Sequence, residues 1–125
     1  MLKMILLAGS GSFIGGILRY LMQLFFSKFF LSSFPVGTLI VNIIGSFLIG
    51  VIFSLSDKSD IISQEAKIFL AVGICGGFTT FSSFSIENFF LLRDGQYFQM
   101  VFYTMLSVFL GLSATFAGFQ LIKII

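Results

Sequence analysis

The chain has 125 residues, 58% hydrophobic and 10% charged, with mean hydropathy +1.11, which lies above the roughly 45 to 50% apolar content of soluble domains and excludes one. At about 20 apolar residues per membrane helix, this length allows four or five spans and little extramembrane structure. With no His, one Cys, no Trp, and seven Lys/Arg against five Asp/Glu in no basic run, the sequence argues against an enzyme, a zinc site, a disulfide framework and a nucleic-acid partner, leaving lipid, another copy and something small.

Charge-free stretches at 4–18, 29–56, 68–86 and 95–122 divide the chain into four expected spans. The first runs from about 4 to 26 and carries Arg19. Lys3, an apolar stretch and Ala8-Gly9-Ser10 loosely imitate a secretory cleavage site. The apolar pattern continues past it, so the segment is expected to stay uncleaved. Arg19 either snorkels to the interface or raises the positive potential of an anion vestibule.

Ser32-Ser33-Phe34-Pro35 is a turn leading to a second span from about 36 to 55. Thr38, Asn42 and Ser46 recur at i, i+4 and i+8 and so share a helix face. Polar groups at this depth are costly, so the stripe is either interhelical glue or the wall of a pathway with the Asn42 amide as donor. The segment 56–64, with Asp57, Lys58 and Asp60, is the hydrophilic connector.

The third span, from about 65 to 92, is the most unusual. Gly73-Ile74-Cys75-Gly76-Gly77-Phe78-Thr79-Thr80-Phe81-Ser82-Ser83-Phe84-Ser85 concentrates Gly, Thr and Ser at midspan, where they weaken a helix. A break here would release carbonyls that need partners such as a cation; alternatively, the hydroxyls satisfy a kinked helix. Phe78, Phe81 and Phe84 recur every three residues. Their ring edges would favour an anion if turned toward a pathway, and otherwise they are packing. The scarcity of acids argues against a cation pathway. Cys75 is expected to be a small apolar residue. Glu87 stands either at a mouth or as the buried carboxylate of a proton-coupled exporter.

Arg93-Asp94-Gly95 turns into the fourth span, from about 96 to 124, where Tyr103, Ser107 and Gly111 repeat the i, i+4, i+8 stripe with no side chain at its last position. Gly11/Gly15, Ser46/Gly50, Gly73/Gly77 and Ala114/Gly118 are small-xxx-small pairs that favour a compact bundle. Four spans place Lys3, Lys58, Lys67 and Lys123 opposite Lys28 and Arg93, a weak bias. Either one orientation is weakly set, or the chain inserts both ways and pairs antiparallel. Four helices enclose little space, so a homo-oligomer is expected.

Three segments resemble the Fluc fluoride channels of the CrcB family: Gly11-Ser12-Phe13-Ile14-Gly15-Gly16-Ile17-Leu18-Arg19-Tyr20, the stretch from Pro35 to Gly50 around Gly37-Thr38-Leu39-Ile40-Val41-Asn42, and Gly76-Gly77-Phe78-Thr79-Thr80-Phe81-Ser82-Ser83-Phe84-Ser85 with Glu87. The resemblance implies an all-α integral membrane protein of four transmembrane helices, the third broken midspan, in an antiparallel dual-topology homodimer. It implies passive fluoride conduction through two pores in the inner (plasma) membrane. It also implies a structural sodium ion at the dimer interface, held by carbonyls that map to Gly76 and Thr79. Phe81 and Phe84 match the pore phenylalanines and Asn42 the pore entry. Thr80 and Ser82 flank the fluoride pathway, Tyr103 and Ser107 match a polar track, and Arg19 is assigned to the vestibule. Ser83 stands where Thr is usual, Gly16 where Ala is common, and Gly111 at a track position that can be Ser. The rival expectations are a small dual-topology multidrug exporter using Glu87 and a noncatalytic assembly factor whose polar stripes are glue.

Overall fold

The computed structural model describes residues 1–30, 32–58 and 61–125. Asp60 of the expected connector lies outside the described residues. Helix α1 (Leu2–Phe29) is apolar along its length, carries Lys28 in its last turn and stops at the extended Phe30. Helix α2 (Val36–Lys58) follows Pro35, whose carbonyl accepts the Leu39 N–H at 3.2 Å. It runs past the expected end at 55 because Ser56, Asp57 and Lys58 remain helical. The Lys58 ammonium donates to the Ile122 carbonyl at 3.2 Å, and a cation at a helix C-terminus suits the dipole.

The third span contains several segments. Ser63 caps α3 (Gln64–Lys67) by accepting the Ala66 N–H at 3.1 Å. A π-helical segment, Ile68–Cys75, leads into the short α4 (Gly76–Phe78). Thr79 and Thr80 are extended, and α5 (Phe81–Arg93) follows. The apolar sequence pattern does not distinguish the wider π turn from an α turn over eight residues. At the end of α5, the Gly95 N–H donates to the Leu92 carbonyl and the Gln96 N–H to that of Leu91. With Gly95 at φ +75°, this is the Schellman arrangement that ends a helix on a left-handed residue. Helix α6 (Tyr97–Ile124) completes the chain.

Lipid provides no hydrophobic drive between helices, so close backbone approach holds the bundle together. Helix α1 packs along the third span: a Cβ at Gly11 would stand 2.5 Å from the Phe69 carbonyl oxygen, and one at Gly77 would stand 2.6 Å from that of Ser12. Helix α2 packs along α6 in the same way, with Gly50 against the Thr115 carbonyl and Gly118 against that of Phe47. Both pairs are parallel. The antiparallel contacts Asn42 to Thr80 and Thr38 to Glu87 join α2 to the third span. Lys3 pairs with Glu65 at 3.2 Å and Lys58 reaches Ile122, so the lysines of the termini and of the second-to-third connection gather at one end.

All four spans are long and apolar enough to cross a membrane. The large side chains exposed on α1 and α6, among them Phe13, Phe98, Phe109 and Phe116, suit a lipid surface. The chain is a multi-pass membrane protein. Substituting Gly50→Val forces a side chain into the Thr115 carbonyl and is expected to destabilise the bundle by about 1–3 kcal/mol. Gly16→Ala enters open space and is expected to leave it intact. Thermal unfolding in detergent checks the contrast, and equal midpoints for both variants would contradict this packing.

Candidate functional site

Asn42 makes two hydrogen bonds to one residue. Its side-chain N–H donates to the Thr80 carbonyl at 3.2 Å, and its Oδ1 accepts the Thr80 N–H at 2.9 Å. The Thr80 hydroxyl oxygen accepts the Ser83 N–H at 3.1 Å and so caps α5. In a continuous helix the Thr80 and Ser83 N–H groups would serve the carbonyls of Gly76 and Thr79. Both donors are diverted, so these two carbonyls lose their helical partners. The Thr79 hydroxyl instead donates back to the Cys75 carbonyl at 2.9 Å, while its methyl fills the space beside Gly45.

The polar stripes of α2 and α6 face each other in register. Thr38 and Tyr103 both donate to Glu87, at 2.7 and 3.0 Å, one to each carboxylate oxygen. Two turns along, Gly111 faces Ser46, whose hydroxyl would lie 3.8 Å from a Cβ there. One turn further, Gly50 faces Thr115. These pairs share an offset of 65 positions, which sets Asn42 level with Ser107. The Ser107 hydroxyl is buried without a hydrogen-bond partner. Among the described residues it is the one buried side-chain polar atom left so, a rare condition for such a group.

The rings of Phe81 and Phe84 lie 5.6 Å apart, and Phe84 packs on Tyr103 at 5.1 Å. Phe81 is 77% exposed, and Ser82 and Ser85 on the same span are exposed as well. A groove of about 300 Å³ runs between α2 and the helix break, lined by Asn42, Ser46, Thr79, Thr80 and Phe81 together with Gly45 and Ile49. Its lining is uncharged. The second Asn42 amide hydrogen, the hydroxyls other than that of Thr79, whose proton goes to the Cys75 carbonyl, and the Phe81 ring are its polar resources, a set that can replace the water of a small anion.

A family model described as "CrcB-like protein, Camphor Resistance (CrcB)" matches residues 6–119. The chain belongs to the CrcB family. A relative from Leptospira interrogans serovar copenhageni, named "Fluoride-specific ion channel FluC", is 46% identical over 97% of this chain and 95% of its own. Relatives of the same name from Azobacteroides pseudotrichonymphae and Campylobacter jejuni are 42% and 44% identical, covering 97% and 98% of this chain and 97% and 100% of their own.

In this CrcB chain the expected site residues fall into two groups. Asn42, Thr79, Thr80 and Phe81 line one groove, with Phe84 against Phe81, Ser82 beside the Thr80 hydroxyl at 3.2 Å and Gly76 at the break. Tyr103 and Ser107 lie across on α6, but the Tyr103 hydroxyl is committed to Glu87. Arg19 stands apart on α1, half-buried and in no ion pair among the described residues. Sequence reasoning missed Gln23, whose amide donates to the Thr38 hydroxyl at 3.0 Å and extends the Glu87 network to α1. Its signal was a polar residue late in an apolar span. Asn42→Ala strands the Thr80 backbone groups, and the Thr80 amide is expected to exchange its hydrogen about tenfold faster or more. Unchanged protection of that amide in exchange measurements would remove Asn42 as the bracket.

Proposed function

We propose that this chain forms a fluoride-selective passive channel that lets cytoplasmic fluoride leave across the plasma membrane. The observation that carries the reading is the uncharged groove of amide, hydroxyl and phenyl groups beside the Asn42–Thr80 bracket. Near-full-length relatives named as fluoride-specific channels support it. A small anion is costly to dehydrate, so fixed donors must replace its water. Asn42 and the hydroxyls around it supply hydrogen bonds, and the ring edges of Phe81 and Phe84 supply partial positive charge. An inside-negative potential drives the anion outward at about 2.3 kcal/mol per 100 mV, and Arg19 adds positive potential at a vestibule.

The working unit in this reading is an antiparallel dual-topology homodimer. Phe81 at 77% exposure, with the hydroxyls of Ser82 and Ser85 on the outer surface of the same span, supports a second copy covering this face. The third helix then acts as a broken membrane helix, and the freed carbonyls of Gly76 and Thr79 suit a structural sodium ion shared between copies. When bound, that ion neutralises carbonyl dipoles that lipid cannot satisfy. The exporter alternative lacks support: both Glu87 oxygens accept hydrogen bonds from Thr38 and Tyr103, and the relatives bear channel names.

Liposomes holding only this protein are expected to release fluoride rapidly and retain chloride, with Phe81→Ile cutting fluoride release sharply. A fluoride electrode reads both. No release from folded protein would overturn the proposal. Exchanging sodium for a large organic cation is expected to lower the thermal unfolding midpoint of the detergent-solubilised protein; an unchanged midpoint would speak against the ion.

A further inference from the structure

We infer that Ser46 of α2 supplies the hydroxyl that α6 lacks at Gly111, and is a fluoride-contacting, selectivity-determining residue of the groove. The inference deepens the channel reading and rests on it. The stripe on α6 carries hydroxyls at Tyr103, committed to Glu87, and at Ser107, and then nothing at Gly111. A Cβ at that glycine would meet only the Ser46 hydroxyl, at 3.8 Å. The two stripes run in register, so Ser46 occupies the level that Gly111 vacates, one turn beyond Asn42 and Ser107.

The neighbouring hydroxyl cannot take this role. The Thr115 Oγ1 donates its single proton to the carbonyls of Ser46 and Gly111, at 3.0 and 3.2 Å, and so has none left for an anion. That same contact ties the two backbones together and fixes the Cα of Ser46 at the wall. Thr115 holds the Ser46 carbonyl, not its hydroxyl, and Ser46 lines the groove with Asn42, Thr79 and Thr80. An ion leaving the Asn42 level therefore meets Ser46 as its next donor. The glycine opposite makes room for it.

The test compares fluoride efflux from liposomes carrying the wild-type chain, Ser46→Ala, and the double variant Ser46→Ala/Gly111→Ser, each first checked for unchanged thermal unfolding in detergent. Losing a hydrogen bond to a charged ion is expected to slow efflux by about tenfold. The double variant, which returns a hydroxyl from the other helix at ordinary van der Waals spacing, is expected to recover most of that loss. Wild-type efflux with an undiminished Ser46→Ala rate would overturn the role of Ser46 and leave the channel reading standing. A slow Ser46→Ala variant that Gly111→Ser fails to rescue would also overturn it, since the defect would then lie in packing. Absence of efflux from the wild type would overturn the channel reading and this inference together.

Discussion

A primary amide that bonds both the N–H and the carbonyl of one residue can replace a rung of helix, and Asn42 does this at Thr80. The consequences spread from that pair. Thr80 becomes extended and its hydroxyl caps α5, while the carbonyls of Gly76 and Thr79 lose the donors a continuous helix would aim at them. An unsatisfied backbone group at membrane depth costs several kcal/mol, so diverting these two donors carries a cost at both carbonyls. Asn42 is thus interhelical glue that also lines the groove. Its oxygen and one amide hydrogen hold the break, and its other hydrogen remains for the groove.

Close packing makes such precision affordable in lipid. Glycines at positions 11, 15, 73 and 77 let α1 press against the third span, and those at 50 and 118 let α2 press against α6. The two parallel pairs then meet through polar contacts: Gln23, Thr38, Glu87 and Tyr103 join all four spans near one end. Glu87 receives a hydrogen bond on each oxygen, which fits a brace between α2, α5 and α6. The register of the polar stripes follows from the glycine contacts, because a backbone seated against a backbone has little freedom to slide.

Much of this was legible in the sequence, though unevenly. Four apolar runs set the spans, yet α2 continues beyond its apolar run because Ser56-Asp57-Lys58 has the composition of a loop until Lys58 finds the Ile122 carbonyl. The stripes were visible at their i+4 spacing, but periodicity within a helix says nothing of which stripe faces which, and the shared offset comes only from tertiary contacts. The extended backbone at Thr79-Thr80 finds its partner at Asn42, 38 positions from Thr80 and beyond any local pattern. The π-helical segment left no mark in the apolar pattern. Gln23 carries little signal in the sequence, because a lone polar residue near a span end is commonly an interfacial one; its role comes from Thr38.

In the channel we propose, the bracket, the paired stripes and the aromatic contact form a wall that offers hydrogen-bond donors and ring edges in sequence, with the carboxylate of Glu87 held in its own network. Such a wall should favour one small, strongly hydrated anion over larger ones. The most direct measurement is the reversal potential of the purified protein in a planar bilayer, with a tenfold fluoride gradient and equal chloride on both sides. The expected current reverses near the fluoride equilibrium potential, about 59 mV for a monovalent ion. A current reversing at zero, or one that shifts when a chloride gradient is imposed instead, would contradict it.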